Sequence, residues 1–481
     1  MPGARLTPKL FRHGAPLQLR HGSNAVNKSI GIIGAGAAGI CGAKHMLEAG
    51  ADVTVYEIGS NIGGMWVYQN DNGRSSAYKT LHINTAKNLT NFSDLRFDGS
   101  VPPFPSHWDM ARYLKAYADH FGVTPRIRFN TKVTRVSPAA SYTRAKPRWQ
   151  IETANGEVRE HDTVIVATGH LTKPLEVPAF RDGFKGEYLH SHYYREPAKF
   201  VGRRVCVVGV GNSALDIASD LAMTSARTVL VARSNALIIP KLAFGRPFWD
   251  TIKPFYKPWV PGWLRAKVLK SLVYVIQGDM TQLGFPPPTK KVHATSNANI
   301  VNHIHYKRVL VKQGIDSIEG SRLTFNDGTS EDFDTLIAAT GYLIDIDFMD
   351  RSVIEPKDNG LDLYMRIVPP DWPGLYFLAF FNSDTALNWI CEGQIRWIRE
   401  FEFGRAVLPS KTEMLAEIDV RKTTIRKHFK DTPRHGIEVE HLPYFADLKR
   451  SMREAHHRAG QPTIDIGIGA ENKQPPRAAA E

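Results

Sequence analysis

The stretch IGIIGAGAAGI, Ile30 to Ile40, decides the fold. An apolar run enters a tight glycine turn, and a helical pattern leaves it. Gly34 permits the turn, Gly36 lets backbone N–H groups approach a pyrophosphate, and Gly39 lets helix and strand pack closely. The helix, with Ala37 and Ala38 in its first turn, runs to Gly50, a residue type that stops helices. ADVTVYE then reads as a second parallel strand. Its last residue, Glu57, falls 18 residues after Gly39, where a carboxylate accepts both hydroxyls of a ribose. A lone Gly-x-Gly-x-x-Gly also arises as a helix-packing glycine cluster. Strand, turn, helix, strand and acid in this order read as a dinucleotide cradle.

The next segment narrows the nucleotide. SNIGGMW, Ser60 to Trp66, sets two glycines before a large aromatic. A flavin ring needs close backbone at Gly64 and a flat apolar wall from Met65 and Trp66, so FAD is expected here. A core role for Trp66 is the alternative.

RRVCVVGVGNSALDIASDL repeats the grammar from Arg203. Gly209 and Gly211 match, and Ala214 takes the third place, which is tolerated where helix and strand sit further apart. The partner strand, ARTVLVARS, ends in Arg233-Ser234 rather than in an acid. Arginine there suits the 2′-phosphate of NADPH. Two cradles in one chain describe a hydride path from NADPH to a flavin across a cleft.

HDTVIVATGHLTKP, His161 to Pro174, and DFDTLIAATGY, Asp332 to Tyr342, are apolar strands that each end in Ala-Thr-Gly. Both read as closing strands of a dinucleotide domain. The expected fold is α/β: two Rossmann-like dinucleotide-binding domains, the NADPH domain inserted in the FAD domain. The segments are a disordered basic leader 1–28, FAD domain 29–172, NADPH domain 173–330, FAD domain again 331–460, and a flexible tail 461–481.

The 481 residues carry a formal charge of +13, with Lys and Arg scattered rather than massed. That excess reads as solvated surface plus a site for an anionic cofactor, so no nucleic acid is expected. No apolar run spans a bilayer. Cys41, Cys206 and Cys391 form no CxxC pair, which suits a reducing cytoplasm and excludes a redox dithiol or zinc knuckle. HATSNANIVNHIHY has no metal spacing, and His303 and His305 read as loop or strand residues, so no metal is expected. The first 47 residues contain no Asp or Glu. The leader reads as a disordered extension or a start placed too early, with an organelle transit peptide as the alternative. The aromatic, basic run from Lys241 to Ile276 reads as core plus a helical insertion; a substrate entrance or a membrane-surface contact are the alternatives.

FKGEYLHSHYY fits F-x-G-x-x-x-H-x-x-x-Y through Phe184, Gly186, His190 and Tyr194. GGMW at Gly63, LHINTAKNLTNFSD at Leu81, ATGH at Ala167, GVGNSALD at Gly209, ATGY at Ala339, CEGQIRWI at Cys391 and LPS at Leu408 follow in order. On these motifs the chain after Asn27 resembles the flavin-containing monooxygenases. The resemblance implies that Gly34, Gly36, Gly39 and Glu57 hold the ADP half of FAD, and that Met65 and Trp66 border the flavin. It implies an active-site amide at Asn84, with Thr85 beside it, that orients NADP⁺; read alone, Asn84 is equally a turn-capping residue. Further cofactor contacts are implied at Ala37, Ala38, Gly64, Val133, Thr168 and Gly169. In the second turn they are implied at Asn212, Ser213, Ala214, Leu215 and Asp216. His190 is read as coupling the domains rather than doing chemistry.

The resemblance also implies an NADPH-consuming cycle in which a C4a-hydroperoxyflavin oxygenates an amine nitrogen or a thioether sulfur. The motif closes Tyr194-Arg195, which favours this branch over Baeyer–Villiger ketone oxygenation. A ketone oxygenase, an NADPH oxidase or reductase without oxygen transfer, and a non-catalytic redox sensor remain the alternatives. The partners are then a small-molecule substrate and O₂. Dimers are common in the family, which leaves a homodimer open.

Overall fold

A computed structural model describes residues 28–288, 294–428 and 435–469. The leader before Lys28 and the chain beyond Gly469 lie outside the described residues, and so do the expectations that fall on them. Lys28 itself is anchored: its ammonium lies 2.6 Å from the Glu402 carboxylate.

Two parallel sheets organise the chain. The first has the order β10-β4-β1-β2-β3, built from β1 (Ser29–Ile33), β2 (Asp52–Tyr56), β3 (Ile127–Arg128), β4 (Thr163–Val166) and β10 (Leu375–Phe377). The second has the order β8-β7-β6-β9-β5, built from β5 (Glu187–His190), β6 (Arg204–Val208), β7 (Arg227–Val231), β8 (Val309–Lys312) and β9 (Thr335–Ala338). Every neighbouring pair in both sheets is parallel. Strands covered on both faces read as continuous apolar runs. All four residues of β4, TVIV, are indeed buried.

Each cradle strand leads through its glycine turn into a helix, α1 (Ala37–Glu48) after β1 and α2 (Asn212–Leu221) after β6. Gly39 faces the turn so closely that a Cβ there would stand 1.8 Å from the Gly34 carbonyl oxygen. α1 packs against α4 (Leu387–Glu402). The first core joins this helix pair to the sheet through residues such as Ile40, Met46, Ile395 and Ile398, each large side chain worth about 1.5–3 kcal/mol when fully buried.

Contacts across the chain bear on two boundaries, the far end of the NADPH domain being expected between about 300 and 342. A division at 330/331 falls ahead of β9, yet Val205 to Val208 of β6 pair with Thr335 to Ala338, so the second sheet claims the chain as far as Ala338. The expected tail does not begin at 461. Ile468 is buried, and Arg396 donates to the Gly467 carbonyl at 2.8 Å, which holds this segment to α4. Among the described residues no helix is long and apolar enough to cross a membrane.

Candidate functional site

A cavity of about 1120 Å³ is lined from both halves of the molecule. The first turn supplies Gly34, Gly36, Ala37 and Ala38, and the second supplies Asn212. Both helices start from a glycine N-cap, with no side-chain cap and no acid in the first turn. Their leading N–H groups and positive dipole ends are therefore left for an anion such as a pyrophosphate.

Glu57 lines the cavity beside the first turn. Its Oε2 accepts the Ala35 N–H at 2.7 Å and its Oε1 accepts the Gly59 N–H at 3.0 Å. Two backbone donors thus fix the carboxylate, and each oxygen keeps a lone pair for a ribose hydroxyl. Gly64, Met65, Trp66, Val133, Thr168 and Gly169 line the same space. A Cβ on Gly64 would lie 3.1 Å from the Gly36 Cα, so GGMW crosses the first turn backbone against backbone.

Asn84 and Thr85 also reach the cavity. The Ile83 N–H donates to the Pro105 carbonyl at 2.9 Å, and Lys241 donates to the Ile83 carbonyl at 3.2 Å. The residue before Asn84 is therefore held on both sides. Asn84 Oδ1 and Thr168 Oγ1 are buried and make no hydrogen bond among the described residues. An orphaned buried polar atom costs about 1–3 kcal/mol. A nucleotide bound in the cavity would offer each a partner. Uncapped helix ends, a fixed carboxylate, bare glycine backbone and orphaned polar atoms together fit FAD and a second nucleotide.

The second cradle is less simply placed. Gly209 has φ +136°, and a Cβ there would stand 2.4 Å from the Ala339 carbonyl oxygen, so a side chain is excluded. Gly209, Gly211, Ser213, Ala214, Leu215 and Asp216 do not line the cavity. Ala214 and Leu215 are fully buried in the second core. The Asp216 side chain turns inward, accepting from Tyr78 at 2.5 Å and Asn297 at 2.6 Å. Tyr78 and Asn297 thus hold the Asp216 carboxylate. Burial lifts its pKa to about 6 against those hydrogen bonds. Arg233 is exposed, two residues beyond the end of β7. It makes no ion pair among the described residues and stands outside the cavity lining.

His190 also stands outside that lining. Its Nδ1 accepts the His192 N–H at 3.1 Å, and its ring meets Tyr342 edge-on at 5.5 Å. Burial holds its pKa down at about 4, so the imidazole is neutral. Tyr194 is fully buried, with its hydroxyl on Asp220 at 3.2 Å.

The insertion, read above as core with a substrate entrance as an alternative, supplies one wall. The insertion carries α3 (Gly262–Gln277), and Trp249, Tyr256, Arg265, Leu269 and Val273 line the cavity. Opposite them, Asp384 and His441, the first residue of α5 (His441–Arg458), complete it. Aromatic and basic residues interspersed between Lys241 and Ile276 were the available signal, and they suit a core equally well.

The profile of the family described as Flavin-binding monooxygenase-like matches residues 27–456. Human Flavin-containing monooxygenase 5 is 31% identical over 439 residues, 88% of this chain and 82% of that protein. Mouse Dimethylaniline monooxygenase [N-oxide-forming] 2 is 27% identical over 441 residues, with the same coverage of 88% and 82%. Among solved structures, S-allyl-L-cysteine S-oxygenase from Allium sativum superposes with a TM-score of 0.66 at 23% identity, over 92% of this chain and 90% of that one. A closed cyclohexanone monooxygenase superposes with a TM-score of 0.63 at 18% identity, over 89% and 98%. The two parallel sheets, the shared cavity and a family match from Asn27 to His456 lead to one conclusion: the chain belongs to the flavin-binding monooxygenase family, enzymes that use FAD and NADPH.

Proposed function

We propose that this enzyme consumes NADPH and O₂ to oxygenate a soft nitrogen or sulfur nucleophile held in the cavity. The observation that carries the reading is Asn84 Oδ1, a buried acceptor without a partner among the described residues, in a cavity that both glycine turns reach. Bound FAD, reduced by NADPH, would supply the activated oxygen. The protein's part is to bind, orient and keep dry. Gly34, Gly36 and Glu57 would hold the flavin nucleotide. The turn at Gly209–Asn212 and Arg233 would hold NADPH. Asn84 would fix the nicotinamide amide, and the apolar insertion wall would exclude water from the oxygen-transfer step.

Ketone oxygenation has weaker support. Arg195, which closes the fingerprint, spends its guanidinium on the carbonyls of His192, Tyr194 and Ser75 at 2.7–3.1 Å. Three buried, unpaired cysteines suit a reducing cytoplasm.

The test is product analysis under ¹⁸O₂ with NADPH and, in parallel, a thioether, a tertiary amine and a cyclic ketone. Labelled sulfoxide or N-oxide upholds the proposal. Labelled lactone as the main product would replace it with ketone oxygenation. Peroxide alone would replace it with an oxidase.

A further inference from the structure

Among the described residues Arg265 has no ion pair or hydrogen bond to explain it. It is the fourth residue of α3, near the positive end of the helix dipole, where a cation is disfavoured. Its Nη1 is buried and makes no hydrogen bond, and Arg265 forms no ion pair among the described residues. Arginine does not escape by losing its proton. A guanidinium kept charged, half-buried and incompletely paired in a cavity wall lacks an anion.

The surroundings place this charge beside Tyr256 and the Asp384–His441 pair. The Tyr256 ring lies parallel to the His441 ring, 12° apart with centroids at 6.5 Å. Burial pushes the Tyr256 hydroxyl up to about 12, with Asp384 adding to the rise and Arg265 opposing it. Both charges therefore act on this one ring. Asp384 stands three residues before Leu387, where α4 begins. Its carboxylate already accepts the His441 N–H and meets His441 Nδ1, both at 2.9 Å. The acid is satisfied locally and the arginine is not. Leu269, Val273 and Trp249 add apolar wall beside it.

We infer that Arg265 binds a carboxylate of the substrate, so that the enzyme prefers nucleophiles carrying an acid group on an apolar chain. This rests on the reading of the enzyme as an oxygenase of soft nucleophiles and names the class of substrate it takes. A charge-assisted arginine–carboxylate pair in a sheltered site is a strong and directional contact. Arg265 acts on binding, and no proton or electron passes through it.

The test compares 3-(benzylthio)propanoate with its methyl ester, which removes the charge and adds one methyl group. For the FAD-loaded enzyme, kcat/KM for sulfoxide formation is measured on both, in the wild type, Arg265→Gln and Arg265→Lys. The expected result is a fall of about 10- to 100-fold in the acid-to-ester ratio in Arg265→Gln, partly restored in Arg265→Lys. An unchanged ratio, with or without an equal loss on both probes, overturns the inference. A raised KM for NADPH with the ratio unchanged also overturns it and assigns Arg265 to the cofactor's phosphates. Calorimetric titration of the resting holoenzyme with the acid keeps the question separate from catalysis. Should the wild type oxygenate neither probe, the sulfur reading of the proposed function fails and the tertiary-amine assay decides the nitrogen one. Acid binding that is lost in Arg265→Gln then still upholds the carboxylate site, and equal binding by both proteins overturns it.

Discussion

The Tyr78 hydroxyl donates to Asp216 Oδ2 at 2.5 Å, joining the segment that leads to Asn84 to the helix after the second glycine turn. Thr80 and Tyr194 make the same kind of bond to Asp220, one turn further along α2. Tyr78 and Tyr194 meet with ring centroids 5.8 Å apart. Tyr78 and Thr80 thus tie the segment before Asn84 to α2 of the second half through hydroxyl–carboxylate bonds. Tyr78→Phe removes one of two donors from a half-buried acid, a loss of about 1–3 kcal/mol. The expected outcome is a lower melting temperature and slower NADPH-driven bleaching of the flavin, with FAD content unchanged. Thermal melting and stopped-flow absorbance read the two effects. A wild-type bleaching rate would limit the bond to stability.

Arg233 is exposed and without an ion pair among the described residues, as a residue awaiting a phosphate would be. Arg233→Ala should raise the KM for NADPH about tenfold or more and leave that for NADH nearly unmoved. Steady-state kinetics with both nucleotides decide it. Equal losses would remove the 2′-phosphate from this residue.

Asn84→Ala deletes the orphaned acceptor and its amide donor. Flavin should remain bound, since the first turn and Glu57 are untouched. Sulfoxide formed per NADPH consumed should fall by about 100-fold, the size of effect seen when one positioned polar group is lost from a site, with peroxide taking its place. Unchanged coupling between NADPH and product would take Asn84 out of the chemistry.

His161 supplies a stability signal. Its ring bridges Ser29 Oγ at 2.9 Å and the Tyr56 hydroxyl at 2.8 Å, and burial lowers its pKa to about 4. The folded state thus favours the neutral ring. Its contribution is complete above the unfolded value near 6.5 and is lost as pH falls towards about 4, at up to about 1.4 kcal/mol per pH unit. Asp216, raised to about 6, has the opposite slope: its stabilisation is complete near pH 4 and lost as pH rises through 6. Denaturant melts of the wild type and His161→Gln between pH 4 and 7 should differ in slope. Parallel slopes would mean that His161 does not titrate with folding.

Gly39→Ala places a methyl group 1.8 Å from the Gly34 carbonyl oxygen, backbone against which nothing flexible can yield. The first turn must open, so the purified variant should be colourless or insoluble. A yellow protein with full FAD content would mean the turn adjusts.

The sequence by itself determined both nucleotide cradles, because their signals are local. A glycine that permits positive φ or admits a neighbouring backbone writes its geometry within a few residues, and strand, turn and helix follow in chain order. It likewise marked Glu57 and Asn84, through spacing and motif, and both reach the cavity. Only the tertiary structure decided the membership of the second sheet, where β9 returns from Thr335 to pair with β6. It also decided that Asp216 turns inward and that α3 walls the cavity. Those outcomes depend on contacts between segments tens to hundreds of residues apart, such as Tyr78 with Asp216 and Tyr256 with His441. Such contacts follow from which apolar faces pack together, and an aromatic, basic run such as 241–276 has the same composition whether it fills a core or lines a site.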